Sequence, residues 1–138
     1  MTRNRENKQG IICVIICVLC IFFVTLFSRA PTLSRVTHLI PLWSYTSYGH
    51  WKQIVLNICL FIPLGYSLAL VFSISRHPRL WPILLALLVS AIVEAAQFLT
   101  YRGMLDVDDL ISNGLGAAVG LLIYIILKKH KQGVHAVK

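Results

Sequence analysis

The chain has 138 residues, of which 57% are hydrophobic and 13% charged, with a formal net charge of +8. That length suits a single domain, and the apolar excess excludes an ordinary soluble globule of this size. The basic residues flank apolar segments instead of forming one patch, which argues against a nucleic-acid partner.

A basic tail (1–10) carrying Arg3, Arg5 and Lys8 precedes the first predicted membrane helix, 11–27. Its 17-residue apolar run exceeds the roughly 7–15 residues of a signal-peptide core, and Arg29 interrupts the small-residue cleavage pattern, so an uncleaved anchor is expected. Cys13, Cys17 and Cys20 lie along this helix and Cys59 along the next. They read as small apolar side chains, with no disulfide framework.

Residues 28–53 form a 26-residue loop containing Trp43, Tyr45, Tyr48 and Trp51 beside Pro31 and Pro41. Trp and Tyr favour the headgroup level, so the loop is expected to lie on the outer interface, folded over the helix ends.

The second helix is predicted over 54–73. Asn57 lies near its start, and Pro63 leaves the Cys59 carbonyl without its usual amide donor, which predicts a bend. The third, 80–100, carries Glu94 and Gln97. An ionisable group within lipid costs roughly 2.5–3.5 kcal/mol on insertion scales, so Glu94 is a functional candidate on this ground alone, as an acid or base or as a ligand. Four of the chain's five carboxylates, Glu94, Asp106, Asp108 and Asp109, fall between residues 94 and 109.

The fourth helix, 110–127, begins beside those acids and ends in a second basic tail (128–138). Asp106, Asp109, Asn113, Gly116 and Gly120 follow one another by three, four, three and four residues, placing them on one stripe. Ser112, Gly116 and Gly120 let a neighbouring helix approach closely. Polar head and glycine tail are expected to face the same neighbour, the third helix or the second. Asp108 or Asp109 is expected to cap the fourth helix, and Arg102 to pair with Asp106.

Nine of the thirteen Lys and Arg residues lie on one side of these segments, which predicts an all-α, four-helix membrane bundle with both termini in the cytoplasm. The basic flanks would also meet anionic headgroups. Asn57, Glu94, Gln97 and Asn113 then share one depth near the outer surface and form one cluster with Arg102, Asp106, Asp108 and Asp109. Three aspartates beside one arginine leave negative charge to be balanced by Arg29, Arg35 or Lys52, by a cationic ligand, by a divalent cation, or by protonation. Asp106, Asp108 and Asp109 are the candidate ligands for Mg²⁺ or Ca²⁺, and no other cofactor is expected.

Asn57-Ile-Cys-Leu-Phe61-Ile-Pro63-Leu-Gly65, followed by Glu94-x-x-Gln97, Arg102, Asp106-x-x-Asp109, Asn113 and Gly116, resembles the VanZ-like family of small bacterial membrane proteins over residues 37–122. In the first loop His38-Leu39-Ile40-Pro41-Leu42 departs from the family's Asn-Leu-x-Pro-Phe element. The resemblance implies a multi-pass protein of the bacterial cytoplasmic membrane associated with low-level glycopeptide (teicoplanin) resistance. Beside it stands the reading from the residues. An outward-facing acidic pocket would bind a membrane lipid, a lipid-linked cell-wall precursor or an amphiphilic antibiotic such as a lipoglycopeptide. The alternatives are a metal-dependent enzyme acting on a lipid-linked substrate, and a small transporter or partner subunit. No nucleophile with a paired His and no zinc-type His set supports catalysis, and the residues leave the oligomeric state open.

Overall fold

A computed structural model describes residues 2–27, 37–38, 41, 51–74, 79–103 and 105–136. It is all-helical apart from one two-residue ladder: α1 (Thr2–Phe27), β1 (Thr37–His38), α2 (Trp51–Val71), α3 (Leu80–Leu99), β2 (Leu105–Asp106) and α4 (Val107–Ala136). A short 3₁₀ turn, Phe72–Ile74, closes α2. All four helices are long and apolar enough to cross a membrane.

The helices run past their apolar segments. Lys, Gln and His after Leu127 are adequate helix formers, and extending an established helix fixes only one more residue per added hydrogen bond. The second basic tail therefore continues α4 to Ala136, and α2 starts at Trp51, three residues before its apolar run. α2 also continues through Pro63. The Ser67 hydroxyl donates to the Pro63 carbonyl at 2.8 Å, a local bond that keeps a polar side chain satisfied at membrane depth.

The exterior is apolar. Leu19 and Phe23 of α1, Leu56 of α2 and Leu99 of α3 are each about two-thirds exposed. Such a belt is the surface a helix bundle presents to acyl chains. Inside, Ile21, Phe61, Leu64, Leu68, Ala86, Val93 and Ala117 form the core.

Lipid supplies no hydrophobic push between helices, so close contact has to come from small residues. α2 and α4 make the tightest seam. A Cβ on Gly65 would fall 2.6 Å from the Ala117 Cα, one on Gly116 would collide with the Ile58 carbonyl, and one on Gly120 would fall 2.7 Å from the Tyr66 nitrogen. The glycines of the α4 stripe therefore face α2.

β1 pairs with β2 in parallel, Thr37 opposite Leu105 and His38 opposite Asp106. This ladder ties the first loop to the segment entering α4. Trp43, Tyr45 and Tyr48 of the expected aromatic belt lie outside the described residues, as do Arg29 and Arg35; Trp51 opens α2 and is exposed.

Candidate functional site

Antiparallel neighbours bring the end of α1, the start of α2, the end of α3 and the start of α4 to one end of the bundle. The buried polar side chains collect there. Asn57, Glu94, Gln97, Asp106, Asp108, Asp109 and Asn113 are all at most 9% exposed. Glu94 thus points into the bundle and away from lipid.

The α2–α4 side is built around Asp109. Gln53 Nε2 donates to both of its carboxylate oxygens, at 2.9 and 2.8 Å, and Asn57 Nδ2 donates to Oδ1 at 2.8 Å. Gln53 and Asn57 are four residues apart on one face of α2, so two amides converge on one carboxylate. Hydrogen bonds to an ionised acceptor are short and strong, which lets Asp109 sit 2% exposed.

Asp106 caps α4. Its Oδ1 accepts from the Asp108 N–H at 2.9 Å, the geometry of an N-cap side chain on the second helical residue. This corrects the expectation that Asp108 or Asp109 would cap: the helix starts at Val107, which places both inside its first turn. There they favour the positive end of the helix dipole. Asp108 is fully buried, and its carbonyl accepts from the Ser112 hydroxyl at 2.7 Å.

Glu94 meets this cap from α3, its Oε2 accepting from the Asp106 N–H at 3.3 Å. One turn away, Asn113 Nδ2 donates to Ser90 Oγ at 2.7 Å. The α4 stripe therefore does not face one neighbour, as its spacing suggested. Asp109, Gly116 and Gly120 face α2, whereas Asn113, at the edge of the stripe about 40° round from Asp109, turns its side chain to α3.

Gln97 and Arg102 reach the end of α1. Gln97 Nε2 donates to the Thr25 carbonyl at 3.2 Å, and Arg102 Nη1 to the Leu26 carbonyl at 3.0 Å with its guanidinium 5.8 Å from the Phe27 ring centre. Both carbonyls belong to the last turn of α1, where no intrahelical donor remains. Arg102 is aimed by the end of α3. Tyr101 adopts φ 57°, the Arg102 N–H returns to the Gln97 carbonyl at 2.9 Å, and the Tyr101 N–H to Phe98 at 3.4 Å. This is a Schellman termination with tyrosine where glycine is usual.

Two acceptors inside this end, Gln97 Oε1 and Asn113 Oδ1, are buried with no hydrogen-bond partner among the described residues. With the carboxylates of Glu94, Asp106, Asp108 and Asp109 they make a site rich in acceptors. Among the described residues no three His, Cys, Asp or Glu side chains are grouped to hold a metal ion, so Asp106, Asp108 and Asp109 do not form a ligand set by themselves. Lys52 is exposed on the first turn of α2. Cys13, Cys20 and Cys59 are exposed, Cys17 is half-buried, and all four are free.

Gln53 and Ser90 were not singled out by the sequence. The signal for Gln53 was its i+4 spacing to Asn57, hidden by starting the helix at the apolar edge. Ser90 had its own signal, a hydroxyl four residues before Glu94.

The VanZ/LLP1 family model matches residues 11–128. Protein VanZ of Enterococcus faecium is 31% identical over 92 residues, covering 66% of this chain and 55% of that protein, so the chain spans about half the length of the curated relative it matches. No solved structure matches it. The family match takes in all of the polar end and the glycine seam, and this multi-pass membrane protein belongs to the VanZ/LLP1 family.

Proposed function

We propose that the acidic end of the bundle binds the donor-bearing polar head of a membrane-inserted amphiphile: a lipid, a lipid-linked cell-wall precursor or a lipoglycopeptide antibiotic. Its location would be the outer face of the bacterial cytoplasmic membrane, and its effect low-level glycopeptide resistance. The observation that carries this reading is a pair of buried amide oxygens with no hydrogen-bond partner among the described residues, Gln97 Oε1 and Asn113 Oδ1, at the end of the bundle where four carboxylates are also buried. A buried acceptor without a donor costs about 1–3 kcal/mol, and an amine-bearing or polyhydroxylated head would recover that cost on binding. The relation to protein VanZ supports the link to resistance.

The test is teicoplanin susceptibility, measured with membrane abundance in a strain where deletion has an effect, for Glu94→Gln, Asp106→Asn and Asp109→Asn. Asp106→Asn is the sharpest of these, since asparagine still caps α4 while the charge is gone. All three are expected to lose the phenotype at near-normal abundance. Wild-type susceptibility of all three would reduce the cluster to a structural role.

The outward placement follows from the basic flanks and has its own check. In a cysteine-free background, a cysteine replacing the exposed Thr100 is expected to react with an impermeant maleimide in intact cells. Reaction only after the membrane is opened would move the site to the inner face.

A further inference from the structure

At the opposite end of the bundle a groove of about 190 Å³ opens between the 3₁₀ turn after α2, the start of α3 and the last apolar turns of α4. A cavity needs only about 10–15 Å³ to hold one water, so this groove has ample room for a phosphate group. Its wall is graded. Leu121 is buried at the floor beside Ile125, Tyr124 and Ser73 follow, and the exposed Arg79 and Lys128 stand at the rim with Lys129. At 1.5 Å per residue Leu121 and Lys128 are about 10 Å apart along α4.

Lys128 Nζ lies 5.6 Å from the Tyr124 ring centre, and Tyr124 meets Tyr66 edge-on at 5.9 Å. Among the described residues no carboxylate pairs with Arg79, Lys128 or Lys129, and Glu94, Asp106, Asp108 and Asp109 are buried at the far end. Three cations around a cavity, with no acid beside them among the described residues, call for an anion, and an apolar floor continuous with them calls for one attached to a hydrocarbon.

We propose that this groove binds the phosphate headgroup of an anionic phospholipid, with the phosphate against Arg79, Lys128 and Lys129 and the start of an acyl chain along Leu121 and Ile125. A free phosphate would satisfy only the rim. The experiment follows the thermal unfolding midpoint of the purified full chain in neutral detergent as phosphatidylglycerol, phosphatidylcholine or inorganic phosphate is added. Phosphatidylglycerol is expected to raise the midpoint saturably and the other two to leave it in place. Each cation removed in Arg79→Gln, Lys128→Gln and Lys129→Gln should raise the half-saturating concentration about fivefold, singly and in combination. Lys131→Gln, an equal loss of charge outside the groove, should titrate like the wild type. The single variants keep the test open if the triple variant does not accumulate. An equal shift from inorganic phosphate would make this a free-anion site and overturn the lipid assignment. A matching shift from phosphatidylcholine, or an unchanged titration in the cation variants, would remove the site.

Discussion

Gly120→Leu should fail to accumulate in the membrane, and Gly120→Ala should fold with a lower unfolding midpoint, although alanine is the better helix former. In an exposed helix, Gly→Ala gains about 1 kcal/mol. Here a single Cβ would meet backbone on α2, colliding with the Ile62 carbonyl and lying 2.7 Å from the Tyr66 nitrogen. Backbone cannot rotate out of the way, so the helices must part, and the Gly65 and Gly116 contacts loosen with them. Overpacking of this kind costs about 1–3 kcal/mol or more, which outweighs the propensity gain. Gly114 is the internal control. A Cβ there would lie 3.0 Å from Leu87 Cδ2, the end of a flexible side chain, so Gly114→Ala should be neutral or mildly stabilising. Unfolding by titration with SDS, compared across Gly114→Ala, Gly116→Ala and Gly120→Ala, reads the difference directly. A Gly120→Ala midpoint at or above the wild type would mean that α2 and α4 stand farther apart than described.

Removing Asp109 alone should destabilise more than removing it together with its donors. Asp109→Leu leaves the Asn57 amide buried with no acceptor, and Asn57→Leu takes a charge-assisted bond from Asp109. Each single change is expected to cost about 1–3 kcal/mol. In Gln53→Leu/Asn57→Leu/Asp109→Leu no donor or acceptor of the trio remains, and stability should return most of the way to wild type, as replacing a whole buried polar set by apolar groups often does. Coupling within membranes averages about 0.6 kcal/mol and reaches about 1.7, so the Asn57–Asp109 cycle should fall near the upper figure because its acceptor is a carboxylate. On the proposed function, the single, double and triple variants should all lose the resistance phenotype alike. Strictly additive costs would show that the three side chains do not form one unit.

Hydropathy made the four helices legible, and helix direction made the shared depth of the polar residues legible too. Asn57 meets Asp109 and Glu94 meets the Asp106 N–H because alternating helices leave few other places for them. The partner of the glycine stripe was not legible. Ala91 and Ala95 on α3 offer small residues as Gly65 on α2 does, and spacing cannot choose between two adequate surfaces. The cap was misassigned for a related reason. Three aspartates in a row of four residues can each begin a helix, and the start at Val107 comes directly after the β1–β2 ladder, a pairing between segments some 70 residues apart. Gln53 was missed because hydropathy marks where a segment turns apolar, whereas a helix begins where its first amides find partners.

The clamp on α1 has a further consequence. Gln97 and Arg102 hold it by the Thr25 and Leu26 carbonyls, groups that every amino acid supplies. Such a grip is blind to spelling and sensitive to count. One residue inserted after Ile21 would turn the rest of α1 by about 100° and lift it by about 1.5 Å, carrying both carbonyls off their donors. Among relatives, the exposed positions at the carboxyl end of this anchor, such as Phe23, should therefore drift freely in their letters while the segment tolerates almost no gaps.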